Sequence, residues 1–405
     1  MNRHRRSGFA AISLAIFGAP IFGSPIVAQS FVVDAANGPG ANFVDIAAAI
    51  TAVPDGATLL VRTGTYAPFT LQAKGLTILA DPGTQVTGTT EILDTLPNQA
   101  VIVRGMEVDI TAGDRQAILL QNCAGPVLLE GLTTPSTLPP YVIFGLFFYI
   151  PVGLRAANCD QVILRDSTLT GVALNASNTV VESCLLRGGD EVPISGNGSP
   201  PSAIAGLHIQ SSSVEIVGNS LIIGGNAAAP SLHAVGIHAS LSSVNVRSGT
   251  VSSGISPTSQ ISTPILISQS LVVVDPAVSL TGIAPTIFPA PTRLPLAETT
   301  SAGAPVGGAM QAQVASTSPT AAALFLSLPN AGSTAFPGIE GYSWLAPSTL
   351  SLEAIGTATA GAPLSTTVPV PNNAALRGFA IAWQALLVAG NGELKLSNPS
   401  LAIVR

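Results

Sequence analysis

Gly206-Leu207-His208-Ile209 is answered 30 residues later by Gly236-Ile237-His238-Ala239. Val214-Glu215-Ile216 is answered by Val244-Asn245-Val246, and Asn219-Ser220-Leu221 by Gly249-Thr250-Val251, all at the same offset of 30. A match sustained at one period marks a structural unit stacked on its own copy.

The repeat extends backwards with more variable spacing. Gly153-Leu154-Arg155-Ala156-Ala157-Asn158-Cys159 opens one unit, which Val162 to Leu169 continues. Ala117 to Cys123 followed by Val127 to Glu130 is an earlier copy, and Ala173-Leu174-Asn175 with Val180 to Leu185 a shortened one. Each unit holds short runs, apolar at alternate positions and separated by Gly, Asn, Ser or Asp. Period-two alternation bounded by turn residues reads as strands. None of the runs is long enough for the crossover helix of an α/β protein. A coil in which each strand pairs with its equivalent one turn later satisfies the pattern, which is a parallel β-helix.

The opening of the chain, Phe31 to Ile50, with Asp55-Gly56, Gly64-Thr65-Tyr66 and the strand-like residues between them, resembles secreted right-handed parallel β-helix proteins of the pectin-lyase-like superfamily. The resemblance covers roughly residues 31–282 and is strongest at its start. It implies an all-β solenoid with a short N-terminal capping helix. Phe43, Ile46, Ala47 and Ile50 share one face of that helix, and Asn42 with Asp45 supplies its cap. The enzymatic motifs of the superfamily are missing. Of the polygalacturonase-type elements only a Gly-Asp-Glu fragment has an analogue, and the pectate-lyase-type signatures do not occur.

Arg3, His4, Arg5 and Arg6 precede an apolar run from Phe9 to Val27, with small residues at Ala28 and Ser30, which reads as a signal peptide over residues 1–30. The expected mature chain is secreted or held at the cell surface, with no transmembrane anchor. It carries 12 basic against 21 acidic residues, a formal charge of −9, and its only lysines are Lys74 and Lys395. That balance excludes nucleic acid as a partner.

Residues 31–282 form the expected β-helix, residues 283–295 a linker with four prolines, and residues 296–405 a β-sandwich-like module of short alternating runs. The module's ending, Pro371 to Gln384 with Leu396-Ser397-Asn398, resembles a C-terminal module of bacterial exported proteins, notably of planctomycete type. Two insertions break the coils, at Gly131 to Val152 and at Gly188 to Ala205. Insertions in solenoids project as loops that often carry function.

Four groups of residues are candidates for chemistry. Arg155, Asn175, His208 and His238 are expected in one outward column, with the two imidazoles about 4.8 Å apart along the sheet. Such a column contacts sugars or contributes metal ligands, but a third ligand is not evident and surface histidines serve equally well as solvated side chains. Asp190 and Glu191 after two glycines are the weak catalytic candidates, and the one place for calcium. Tyr141, Phe144, Phe147, Phe148 and Tyr149 make an aromatic insertion suited to stacking on a ligand or docking on the protein itself. Cys123 and Cys159 occupy matched positions, each after an asparagine, and form either a disulfide or a buried thiol stack, with the stack favoured. Asn122 and Asn158 are assigned to a structural ladder along a turn.

These features read as a non-catalytic exported β-helix protein that binds an extracellular polysaccharide or another cell-surface component, or serves as a scaffold, and needs no cofactor. A polysaccharide lyase or glycoside hydrolase with an atypical site at Asp190, Glu191 and the histidine column is the alternative. A third reading is an adhesin-like stalk without a specific ligand.

Overall fold

Short runs of β-branched and aliphatic residues set the architecture. The computed structural model describes residues 29–405 apart from 112, 137–140, 144–145, 150–151, 191–204, 227–233, 256–261, 283–288 and 390–391. The described residues are all-β apart from the helix Ile46–Ala52 and two 3-10 turns. Three parallel sheets of twelve, eight and five strands run through the first part of the chain, called here the long, second and third sheets. From Val152 the chain visits them in rotation. Val152–Ala157 lies in the second sheet, Val162–Arg165 in the long one and Thr168–Thr170 in the third. Val172–Asn175, Asn178–Glu182 and Leu185–Arg187 then repeat the cycle, each strand pairing in parallel with its predecessor.

The alternation of the sequence becomes the inside and outside of the coils. Leu129, Leu164, Val181 and Ile216 stack inward in the long sheet, and Leu154, Val172, Leu207 and Ile237 in the second, all at most 2% exposed. The N-terminal helix adds Ile46, Ala49 and Ile50 to this core. Asp45 alone caps it, accepting from the Ala47 amide at 2.7 Å. Asn42, expected to share that role, instead accepts from the Val32 amide at 2.8 Å and pins the first strand.

The offset of 30 holds for two of the three strands in a coil. His208 pairs with His238 and Val214 with Val244, but Leu221 faces Thr250 and Ile222 faces Val251. The later turn, which ends at Gly249 (φ 111°), is one residue shorter than the turn through Gly218 and Asn219. Packing dictates this slip, because it turns Ile222 and Val251 into the core together.

Two ladders hold the corner between the second and long sheets. Asp94, Asn122 and Asn158 take left-handed φ of 54–55°, and Asn158 donates to Asn122, which donates to Asp94, at 3.2 and 2.9 Å. The next residue in each coil faces inward. Ser177, Ser212, Ser242 and Ser270 each donate to the carbonyl two residues back at 2.6–2.9 Å. Each also accepts an amide proton from the preceding coil at 3.0–3.2 Å. Cys123 and Cys159 are members of this column, and their thiols point at the same carbonyls two residues back. The Cys123–Cys159 disulfide is not formed, and all three cysteines are free and buried. In-register neighbours on parallel coils keep Cβ atoms about 4.8 Å apart, beyond the ~3.8 Å a disulfide prefers.

The long sheet's outer face is largely covered by the C-terminal part. Ile102, Leu128, Ile163 and Val180 form one outer column and are at most 3% exposed, because Trp344, Leu345, Leu401 and Ile403 of the C-terminal part cover them. The adjacent column alternates in charge, Arg104, Glu130, Arg165, Glu182. Arg165 binds Glu182 at 2.6 Å and reaches across to the Ser400 hydroxyl and the Leu401 carbonyl. Arg104 and Arg405 both donate to Oε1 of Glu130, at 2.9 and 3.0 Å.

The described C-terminal part consists of a three-stranded antiparallel sheet and a six-stranded sheet that is antiparallel except where Ile339-Glu340 pairs in parallel with Leu394-Lys395, with a separate two-stranded pair. Met310 and Val314 from the first sheet and Leu324, Trp383 and Ala385 from the second fill one core between them. Thr292-Arg293, inside the proline-rich stretch, pairs with Val273-Val274 and extends the long sheet by one strand.

Candidate functional site

The second sheet leaves most of its outer face exposed, although Leu266 at one end is buried. Alternation turns Leu207 and Ile209 inward, so His208 and Gln210 face out. Pairing carries this along the sheet in two columns. One runs Leu119, Arg155, Ala173, His208, His238, Leu266. The other runs Gln121, Ala157, Asn175, Gln210, Ser240, Ser268. Asn175 therefore stands beside the histidine column and not in it. The position between Arg155 and His208 belongs to Ala173, because the shortened coil pairs Ala157 with Asn175.

His208 and His238 stack with ring centroids 4.9 Å apart and planes within 11° of parallel. Crowding around the His208 ring holds its pKa below the ordinary histidine value. Gln121, Asn175 and Gln210 are exposed, and their carboxamides make no hydrogen bond with another described residue. Sequence reading singled out Asn175 but missed Gln121 and Gln210. Their signal was present, since each sits at the position before the turn that the ladder residue occupies.

The insertions leave the coils at the corner that borders this face. Tyr141–Ile143 and Leu146–Tyr149 pair as an antiparallel hairpin, with Val142 opposite Phe147 and Ile143 opposite Leu146, before the chain enters the second sheet at Val152. Phe144 and Glu191 lie outside the described residues. Asp190 binds Arg187 at 3.2 Å and accepts the Asn226 amide at 2.9 Å. Asn226 in turn accepts the Ile255 amide at 2.9 Å, so Asp190 begins a stitch across three successive coils. Among the described residues, no three His, Cys, Asp or Glu side chains converge to hold a metal ion. No described helix is long and apolar enough to cross a membrane.

The chemistry available on this face is hydrogen bonding from several neighbouring side chains. The carboxamides of Asn175 and Gln210 stand one strand spacing apart, about 4.8 Å, with Ala157 separating them from Gln121, next to two flat rings and one guanidinium. Compared with known proteins, the chain matches no family model, no curated protein and no solved structure.

Proposed function

We propose that this chain is an exported, non-catalytic glycan-binding protein, built as a right-handed parallel β-helix of the pectin-lyase-like type with a sandwich-like C-terminal module. The rotation of the chain through three parallel sheets supports the solenoid, and the strong right-handed preference of parallel crossovers supports its hand. The basic and apolar N-terminal residues support export.

One observation carries the functional reading: the stacked pair His208 and His238 lies beside the exposed carboxamides of Asn175 and Gln210, which make no hydrogen bond with another described residue. Carboxamide donors and acceptors beside the flat imidazole faces are suited to a polyhydroxylated ligand, which can exchange hydrogen bonds with the former and stack on the latter. The structural bonds of Asp190 support a role in holding the loops. The test is retention of the protein on immobilised plant, algal and bacterial polysaccharides. Wild type is expected to be retained on at least one, and the His208→Ala, Gln210→Ala, His238→Ala variant to be released. Equal retention of both proteins on every matrix contradicts the reading.

A further inference from the structure

Where the C-terminal part stands off the long sheet, the two enclose a cleft of about 620 Å³, within the roughly 300–1,000 Å³ range of small-molecule sites. One wall is the three-stranded antiparallel sheet. Its inner face carries Met310, Ala312 and Val314 into the core, so alternation puts Gln311 and Gln313 on the cleft side. Pairing extends each into a row across the strands. Thr300, Gln313 and Ser365 form one row, and Gln311 with Thr367 forms the next. The side chains of these five residues make no hydrogen bond with another described residue.

The opposite wall is the turn after the charged column. Arg165 lines it but is fully engaged by Glu182, Ser400 and Leu401, and Arg405 is held by Glu130. Two carboxylates, Asp166 and Glu298, line the cleft with no ion pair among the described residues. Oε2 of Glu298 is shut off from solvent, with no hydrogen-bond partner among the described residues, so any contact of Glu298 with a ligand falls to its other oxygen. The unpaired carboxylates repel phosphates and uronates. Hydroxyl, amide and carboxylate groups on facing walls are the chemistry that binds adjacent hydroxyls of a sugar.

We propose that this cleft is a second binding site, for a neutral polyhydroxylated ligand of the size of a short oligosaccharide. It shares no residue with the open face of the second sheet, and it stands whether or not that face binds glycans.

Titration calorimetry of the full mature chain with cellobiose, maltose, lactose and mannobiose tests this, with digalacturonate as the anionic control and spermidine as the cationic one. At least one neutral disaccharide is expected to bind. Gln311→Ala, Gln313→Ala together are expected to weaken it at least about tenfold. Both side chains are exposed, so the melting temperature should not change. The His208→Ala, His238→Ala variant should bind that disaccharide like wild type. The proposal is overturned if no neutral disaccharide binds, if only a control ligand does, if the glutamine variant binds unchanged, or if the histidine variant loses binding equally.

Discussion

Cys159 and Ser177 occupy the same turn position on successive coils, and the Ser177 hydroxyl receives the Cys159 amide proton at 3.2 Å. The thiol of Cys159 points at the Ala157 carbonyl just as the hydroxyl of Ser177 points at that of Asn175. Cysteine here is a serine substitute in a hydrogen-bonded column. The neighbouring Cys159 thiol and burial together hold the Cys123 thiol far above its ordinary pKa, and burial pushes Cys184 up to about 12. Neither is therefore a ready nucleophile. All three thiols should resist alkylation in the folded protein and react after unfolding in the absence of reductant. Cys159→Ser should change stability by less than about 1 kcal/mol. Recovery of a single thiol would mean that Cys123 and Cys159 are bridged.

Leu241 takes the left-handed turn position of its coil at φ 52°, with its side chain 55% exposed. A non-glycine residue there costs about 1–2 kcal/mol, and asparagine relieves part of it. Asn122 and Asn158 fill the equivalent turns at φ 54° and 55°. Leu241→Asn should raise the melting temperature by about 1–3 °C, as calorimetry can check. A lower melting temperature would show that the leucine makes a packing contribution larger than its strain.

Arg165 is 4% exposed and neutralises Glu182 in the seam between the two parts of the chain. Burial raises the pKa of Glu182, with Arg165 opposing that rise. Arg165→Ala strands a buried carboxylate and should cost about 3–5 kcal/mol. Adding Glu182→Gln removes the stranded charge and should recover part of the loss in denaturant titrations. A double variant no more stable than Arg165→Ala would argue against the charge as the cause.

Partial burial holds the His208 pKa below its ordinary value, so the unfolded chain takes up protons that the folded one does not. This contribution to stability is present above the unfolded pKa of about 6.5 and is lost as pH falls below it. Protonating both rings also sets like charges 4.9 Å apart. Between about pH 7.5 and 5.5, the melting temperature of wild type should fall more than that of His208→Gln. Identical slopes would remove His208 as a source of acid sensitivity.

The self-match around His208 and His238 made the stacking register legible, because a parallel coil pairs residues that repeat. The inward columns were legible for the same reason. Asn175 was misplaced because the coil from Val172 to Arg187 is shorter than its neighbours, and sequence alone does not say which turn absorbs the difference. The burial of Ile102, Leu128, Ile163 and Val180 was not legible either. An outward apolar residue on a strand looks the same whether water or another domain faces it, and here Trp344 and Leu401 decide. The cleft depends on that docking, so none of its residues was singled out, although alternation around Gln311 and Gln313 marks them as surface side chains.

The exposed outer face of the second sheet is the proposed glycan-binding surface. The most direct test is a glycan array probed with wild type and with the His208→Ala, Gln210→Ala, His238→Ala variant, the folded state of each verified by circular dichroism. Wild type is expected to bind a discrete set of glycans, and the folded variant to lose that binding. An array on which wild type binds nothing, or on which both proteins bind the same set with equal strength, would contradict it.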